Sequence, residues 1–206
     1  MSKINMNRDF LDLAYKFWKL TENAIEIMEN TGNKDIVFTD GGVPHYASWS
    51  DAEEIFKWNA NSIGIPVLFN FYHGVELFMK GFMLNEKILN DKSHKLSDMY
   101  NFLRSTNSAP KKVLIILKEI IYPKHNVLKV FFNQNDNKNN VDNFYILLKY
   151  PVINIENNVD YSLVRKSGMD SFENLFNLIR SYINKLYNAL IEHNCIDNEI
   201  ANLIKK

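Results

Sequence analysis

Apolar residues recur at helical spacing in two long stretches of the chain. From Arg8 to Asn30 they fall three or four residues apart, which places them on one face of an α-helix. Gly32 follows, and glycine readily takes the left-handed conformation that ends many helices. The strongest pattern runs from Asp170 to His193, after a box-like start at Asp170–Glu173. We therefore predict a long helix over each stretch.

A capping pattern and a proline predict two helices between residues 50 and 90. Ser50 and Glu53 fit a capping box, so a helix should begin there. Pro66 should break or kink that helix and occupy the first turn of the next one, because the amide hydrogen that proline lacks is unpaired in a first turn. The helix after Pro66 is predicted to reach about Leu89.

Two shorter helices are predicted in the middle of the chain. Ser93 can cap a helix from His94 to about Leu103. Ser108 can cap another, with Pro110 in its first turn, that ends before Pro123. Short connections of this kind favour antiparallel neighbours in a bundle.

The pattern changes after residue 132. Asn133–Asn143 is polar and of low complexity, which predicts a solvated surface loop. Residues 144–148 and 161–164 are rich in β-prone side chains, so we predict a small β-hairpin insertion at about 144–165. A short tail helix is predicted at about 197–204.

The predicted fold class is all-α, a helical bundle of five or six helices with a small β-hairpin insertion. Hydrophobic residues make up 46% of the 206 residues, enough for a sizeable core. No internal repeat or linker is evident, so residues 1–206 are predicted to form a single domain. The aromatic content of 13% favours a homodimer that buries aromatic helix faces.

Charge and cysteine content bear on the partners and the cellular location that we expect. Lys plus Arg equals Asp plus Glu, at 24 each, so attraction for nucleic acid would need a local basic face. The single cysteine, Cys195, cannot form an intrachain disulfide or a thiolate zinc site, which favours a reducing, cytoplasmic location. Met1–Asp12 lacks a signal-peptide pattern, and charged residues interrupt the most apolar stretch, Ile63–Leu84, so no membrane association is expected.

Polar residues share one side of the helix predicted after Pro66. Asn70, His73, Glu76 and Lys80 project together at 3.6 residues per turn. Glu76 and Lys80 are four residues apart in the favourable order. His94 opens the next predicted helix and can fold back toward them.

These residues also carry a family resemblance. Glu76-Leu77-Phe78-Met79-Lys80-Gly81, followed after a gap by His94-Lys95-Leu96, resembles the helix pair of prokaryotic HEPN-like proteins (higher eukaryotes and prokaryotes nucleotide-binding). Their pattern is Glu-Leu-x-x-Lys, a gap, then His-Asp-Leu. Lys149-Tyr150-Pro151 is similar to an Arg-Tyr-Pro element seen downstream in some of them. The resemblance covers roughly residues 60–190.

The chain departs from that family in two places. Lys95 stands where the family often has Asp. Many HEPN ribonucleases carry an Arg, four to six residues, then a His, and none of the four arginines here precedes a histidine at that spacing. The resemblance therefore implies a HEPN-like scaffold in a bacterial defence or toxin–antitoxin system, acting by binding RNA or a partner protein. The resemblance does not identify catalytic ribonuclease residues in this chain.

Other interpretations of the same residues stay open. The simplest is a polar network of Glu76, Lys80 and His94 that joins two helices, with Asn70 and Lys95 as further members. A different class is a metal-independent ribonuclease, with His73 and His94 as proton acceptors and Lys80 as the cation at the phosphate. A third is a structural adaptor. His73, Glu76 and His94 can also face a metal, but no second Glu-x-x-His motif supports this, so we predict no metal and no cofactor.

Overall fold

The computed structural model describes residues 8–32, 57–83, 94–124, 127–129, 141–149 and 169–192. Its helices are α1 (Arg8–Asn30), α2 (Ala60–Phe82), α3 (Leu96–Thr106), α4 (Lys111–Ile121), α5 (Asp142–Lys149) and α6 (Met169–Glu192). Residues 127–129 are also helical, and no strand occurs within the described ranges. The all-α fold class is therefore confirmed for the described part of the chain.

Helix α1 has the bounds that its apolar spacing predicts. Its end is closed by hydrogen bonds from the Thr31 amide to the Ile27 carbonyl (3.0 Å) and from the Gly32 amide to the Glu29 carbonyl (2.9 Å). Gly32 has a φ of 70°, where a side chain would be strained. The predicted glycine stop is thus confirmed.

Helix α2 begins and ends elsewhere than predicted. Its N-cap is Asn59, whose side chain accepts a hydrogen bond from the Ser62 amide at 2.9 Å. Pro66 lies inside the helix rather than in its first turn. Buried Val67 and Leu68 follow it directly, so tertiary packing outweighs the one hydrogen bond that proline removes. The helix ends at Phe82, before the predicted Leu89. The start of the helix predicted from Ser50 lies outside the described residues, and its predicted continuation to Pro66 is wrong, because the chain turns at Trp58 and Asn59 before α2 begins.

The core forms where α1 lies along α2, the most extensive helix contact among those described. Trp18 of α1 is fully buried and donates its indole N–H to the Phe71 carbonyl of α2 at 3.1 Å. Gly74 leaves the space that the indole fills, since an added Cβ would lie 2.3 Å from its Nε1. Tyr187 of α6 packs on the other side of Trp18, with ring centres 5.6 Å apart. This packing fixes the rotation of α2 and so the direction of its polar side.

Helices α3 and α4 agree closely with the predicted positions. Helix α3 begins at Leu96 with Lys95 as its N-cap, so the predicted start at His94 with a Ser93 cap is wrong by two residues. It runs to Thr106, three residues past the predicted Leu103. It ends at Asn107, whose φ of 51° makes it the left-handed residue that closes the helix. Helix α4 ends before Pro123, as predicted, but Pro110 is its N-cap rather than a residue of its first turn, so the predicted cap at Ser108 is wrong. Its apolar face packs on α3 and α6.

The predicted β-hairpin insertion is wrong at its first strand, because residues 142–149 form helix α5. Phe144, Tyr145 and Leu148 are buried, a spacing that belongs to one helix face. A short apolar run does not by itself distinguish a strand from a buried helix. Contact with α2 favours the helix here. The second predicted strand, 161–164, and the predicted tail helix, 197–204, lie outside the described residues.

Helix α6 begins at Met169 and ends at Glu192, one residue from each predicted end. Its buried side packs against α1 and α4. Arg180 pairs with Glu29 of α1 at 2.8 Å, and Lys112 of α4 pairs with Glu192 at 2.6 Å. Within the described ranges, no helix combines the length and the apolar character that a membrane crossing requires.

Candidate functional site

A carboxylate in the C-terminal half of α2 gathers polar side chains from three parts of the fold. Glu76 is only 1% exposed, although it is charged. We call the following six residues the Glu76 cluster: His73, Glu76, Lys80, His94, Tyr145 and Lys149. A buried carboxylate is costly unless several donors satisfy it, and the cluster supplies them.

The Oε1 atom of Glu76 has two nitrogen partners. Lys80, one turn further along α2, places Nζ at 2.7 Å. His94, two residues before α3, places Nδ1 at 2.9 Å. The pairing with Lys80 follows from the helix repeat, whereas the pairing with His94 depends on how α3 packs against α2.

The Oε2 atom faces α5. The Tyr145 hydroxyl donates to it at 2.5 Å. His73 Nδ1 lies 3.6 Å from the same oxygen, and Lys149 Nζ lies 3.7 Å from it. Tyr145 and Lys149 are four residues apart on α5, so one face of this short helix presents both to α2.

These contacts decide the charge state of the carboxyl. Burial alone would raise the pKa of Glu76, but the contacts with His73, Lys80, Tyr145 and His94 outweigh it and hold the pKa well below its ordinary value. Glu76 is therefore ionised. Burial, together with the adjacent Glu76 carboxylate, raises the pKa of Tyr145, so its hydroxyl stays protonated.

Opposing electrostatic effects act on the Lys149 ammonium. Burial lowers the pKa of Lys149, the Glu76 carboxylate opposes this, and the Lys80 ammonium adds to it by repulsion. Its Nζ also lies 4.0 Å from the centre of the Tyr145 ring, a favourable position over an aromatic face. Two ammonium groups thus share one buried anion.

Aromatic rings hold His73 in place. Its imidazole and the Phe17 ring of α1 meet in a T-shaped contact with ring centres 4.6 Å apart, and Phe69 stacks on it at 5.5 Å. Its Nδ1 lies 2.9 Å from the Tyr145 hydroxyl. The basic side chains still reach the surface, at 27% exposed for His73, 21% for Lys80, 62% for His94 and 22% for Lys149. The Glu76 carboxylate is covered, whereas the four basic side chains around it are partly exposed.

The structure brings together four of the six residues that the sequence nominated. His73, Glu76, Lys80 and His94 all meet at the same carboxylate. Lys95 is exposed at the N-cap of α3, and the described ion pairs of Glu76 do not include it. Asn70 is half-buried one turn before His73, and within the described part of the chain no hydrogen bond joins it to the cluster.

Sequence reasoning missed Tyr145 as a site residue. It assigned Tyr145 to a strand, in which positions four apart share a face but lie about 13 Å from each other, too far to bind one carboxylate together. Lys149 was noticed only through the family resemblance, not as part of a site. The signal was present as a tyrosine and a lysine four residues apart after Asp142, an acidic residue suited to a first helical turn.

A second polar contact holds α5 in place. The carboxylate of Asp142, in the first turn of α5, accepts a hydrogen bond from the Ser97 amide at 2.9 Å and another from the Ser97 hydroxyl. Ser97 lies in the first turn of α3, so Asp142 serves as a cap for that helix from outside it. The contact ties α5 to the helix that follows His94, and thereby brings two sides of the Glu76 cluster together.

The described residues contain no group of three or more His, Cys, Asp or Glu side chains placed to hold a metal ion. A separate groove of about 570 Å³ lies between α4 and α6. It is lined by Ile115, Ile116 and Ile191 together with lysines and glutamates that include the Lys112–Glu192 pair. Its mixed charges give no preference for a ligand, so the Glu76 cluster is the candidate site.

Comparisons with known proteins add no family to this geometry. No protein-family model matches the chain, and neither the curated proteins nor the solved structures that were compared show a significant similarity to it.

Proposed function

We propose that this chain is a HEPN-like component of a bacterial defence or toxin–antitoxin system and that it binds RNA through the Glu76 cluster. The observation that carries the RNA-binding part is the excess of positive charge around one covered carboxylate. Against the single charge of Glu76 stand two ammonium groups, Lys80 and Lys149. The cluster is therefore positive by one charge even when both imidazoles are neutral.

The positively charged side chains of the cluster are the ones that face solvent. An anion that approaches from solution meets Lys80, Lys149, His73 and His94, whereas Glu76 is covered. A lysine ammonium has three donors, and Lys80 uses one of them on Glu76. A phosphate placed between Lys80 and Lys149 would also relieve the repulsion between them. Phosphate contacts of this kind supply most of the affinity of non-specific nucleic-acid binding.

The HEPN-like part of the proposal is supported by the convergence of the residues that carry the resemblance. Glu76 and Lys80 come from the first motif, His94 from the second, and Lys149 from the downstream element. All three partners have a nitrogen within 3.7 Å of the Glu76 carboxylate. Motifs that are separate in sequence thus belong to one site.

RNA binding can be tested by fluorescence anisotropy with labelled single-stranded and hairpin RNA across a series of salt concentrations. We expect the affinity to fall as salt rises, because bound phosphates release counterions. A plot of log affinity against log salt has a negative slope, and Lys149→Gln should make that slope shallower by about one, because one phosphate contact is lost. Lys118→Gln, at an exposed lysine of α4, is the matched control and should leave the slope unchanged. Equal effects of both substitutions would contradict the proposal, and an absence of RNA binding would favour a protein partner.

A second candidate, a metal-independent ribonuclease, is favoured by the pairing of His94 with an ionised carboxylate. The 2.9 Å contact orients an imidazole that is 62% exposed, as in enzymes where a carboxylate positions a general base. The test is incubation with RNA in excess EDTA, comparing the wild type with a folded His73→Ala/His94→Ala variant. We expect no cleavage, since the cluster lacks an arginine fork to fix the phosphate. Cleavage by the wild type alone would favour the ribonuclease over the binder.

A further inference from the structure

We infer that Tyr145 is a positioning residue: its hydroxyl, held by Glu76, fixes His73 in the tautomer with its proton on Nδ1 and leaves Nε2 as a bare acceptor. Neutral histidine has one ring nitrogen that donates and one that accepts, and the hydrogen bond at one nitrogen decides the role of the other. The assignment follows from counting donors and acceptors around the Glu76 carboxylate.

Glu76 can only accept hydrogen bonds, because it is ionised. The Tyr145 oxygen lies 2.5 Å from Oε2. Two oxygens this close would repel each other unless a proton lay between them, so the hydroxyl proton of Tyr145 points to Glu76. Tyr145 has no second proton to give.

The remaining contact then has one possible direction. His73 Nδ1 lies 2.9 Å from the Tyr145 oxygen, whose only proton is already donated. His73 must therefore donate Nδ1–H to that oxygen. The second partner of Nδ1, Glu76 Oε2 at 3.6 Å, is also an acceptor and favours the same tautomer. Nε2 is left without a proton whenever the ring is neutral.

His94 takes the same tautomer through a direct contact with Glu76, without an intervening hydroxyl. Its Nδ1 lies 2.9 Å from Oε1 of Glu76, so it too carries the proton on Nδ1. One carboxylate thus fixes two imidazoles, one directly and one through Tyr145. Nε2 becomes the atom at which each ring accepts a hydrogen bond or a proton. Beside the ammonium groups of Lys80 and Lys149, this arrangement fits a ligand hydroxyl next to a phosphate, and that last step rests on the proposed function.

The tautomers can be measured directly in the full-length wild-type protein by long-range ¹H–¹⁵N NMR, at a pH where the imidazoles are neutral. The chain has five histidines, so single His→Gln variants assign the signals. We expect the Nδ1–H pattern for both His73 and His94. An Nε2–H pattern for His73 in the wild type would overturn the inference, with no need of a further variant.

Tyr145→Phe removes the oxygen that holds the His73 proton. We expect His73 to shift toward the Nε2–H tautomer, which dominates in free histidine, while His94 keeps its pattern. Tyr72→Phe is the matched control, because Tyr72 packs beside Tyr145 and its buried hydroxyl finds no hydrogen-bond partner in the described structure. It should leave both tautomers unchanged. An unchanged His73 in folded Tyr145→Phe would overturn the positioning role.

RNA and DNA oligonucleotides of one sequence separate this inference from the proposed function. A bare Nε2 can accept from a ribose 2′-OH, so the wild type should bind RNA more tightly than DNA. Tyr145→Phe should weaken RNA binding by roughly two- to tenfold more than it weakens DNA binding, about the value of one hydrogen bond. An equal loss of affinity for RNA and for DNA would contradict the contact between His73 Nε2 and the ribose 2′-OH. Failure to bind either, with the expected tautomers in place, would remove the proposed function and uphold the role of Tyr145.

Discussion

Glu76 shows how a single buried side chain can organise a site. Moving a carboxylate out of water costs several kcal/mol, and the cost is recovered only when good partners surround it. Here Oε1 meets Lys80 and His94, while Oε2 meets Tyr145. The partners come from α2, from the segment just before α3 and from α5, so Glu76 connects elements as well as charges.

The stability of the fold should depend on this residue. We expect Glu76→Ala to lower the free energy of unfolding by roughly 1–3 kcal/mol, because it leaves the Tyr145 hydroxyl and the half-buried nitrogens without their acceptor. Urea titration followed by circular dichroism measures the loss. Glu26→Ala, at an exposed position of α1, is the control and should change stability little. An unchanged stability in Glu76→Ala, together with lost RNA binding, would mean that the cluster serves function alone.

The same carboxylate should make stability depend on pH. The pKa of Glu76 is lower in the folded state than its ordinary value of 4.5. Its contribution is therefore fully present above pH 4.5 and is lost progressively as the pH falls toward the folded pKa. Urea midpoints of the wild type and Glu76→Gln, from neutral pH to below 4.5, measure this. The gap between them should narrow on acidification, and a gap that widened would contradict the assigned charge state.

At the scale of elements, the short helix α5 completes the Glu76 cluster. Eight residues are too few for a stable isolated helix, so its conformation depends on tertiary contacts. Phe144 and Tyr145 pack against Tyr72 of α2, with ring centres 5.7 and 6.3 Å away. Asp142 holds its first turn to Ser97. The helix is thus fixed along its length, with Tyr145 and Lys149 on the side of Glu76.

Loss of the Asp142 contact should loosen both α3 and α5. We expect Asp142→Ala to cost about 1–2 kcal/mol, the value of an N-cap together with a buried hydrogen bond. Asp98→Ala removes a charge from the same first turn of α3 at an exposed position, and should cost less. Hydrogen exchange should show faster exchange of the α3 amides in Asp142→Ala only. Equal protection in the two variants would contradict the external cap.

The contact between α1 and α2 depends on a glycine. Gly74→Ala would put a methyl group 2.3 Å from the Trp18 indole nitrogen, and overpacking of this kind costs roughly 1–3 kcal/mol. The measurement is a double-mutant cycle with Trp18→Phe, because the smaller ring leaves room for the methyl group. Gly74→Ala should be less costly in that background. Additive losses would show that the indole is not what excludes the methyl group.

At the scale of the whole molecule, we predict self-association. The aromatic content of 13% favours a homodimer, and Leu13 and Leu20 of α1 and Ile115 of α4 remain exposed in the single chain. We expect multi-angle light scattering to give twice the chain mass of 24.2 kDa at micromolar concentration. A monomer mass across the whole range would contradict the homodimer.

Periodicity determined much of the fold. The bounds of α1 and α6 and the end of α4 follow from apolar spacing, a glycine stop and a proline, since these act within one or two turns of the chain. The spacing of Glu76 and Lys80 is equally local. These features do not depend on what the helix packs against, so the sequence alone is sufficient to predict them.

Only the tertiary structure decided the rest. Pro66 lies inside α2 because buried neighbours hold the helix on both sides of it. Residues 144–148 form a helix rather than a strand because their apolar side meets α2. Tyr145 and Lys149 join Glu76 across about 70 positions of sequence, a distance over which no local pattern specifies a contact. The polar side of α2 was predictable from the sequence, whereas its partners depended on packing between distant segments.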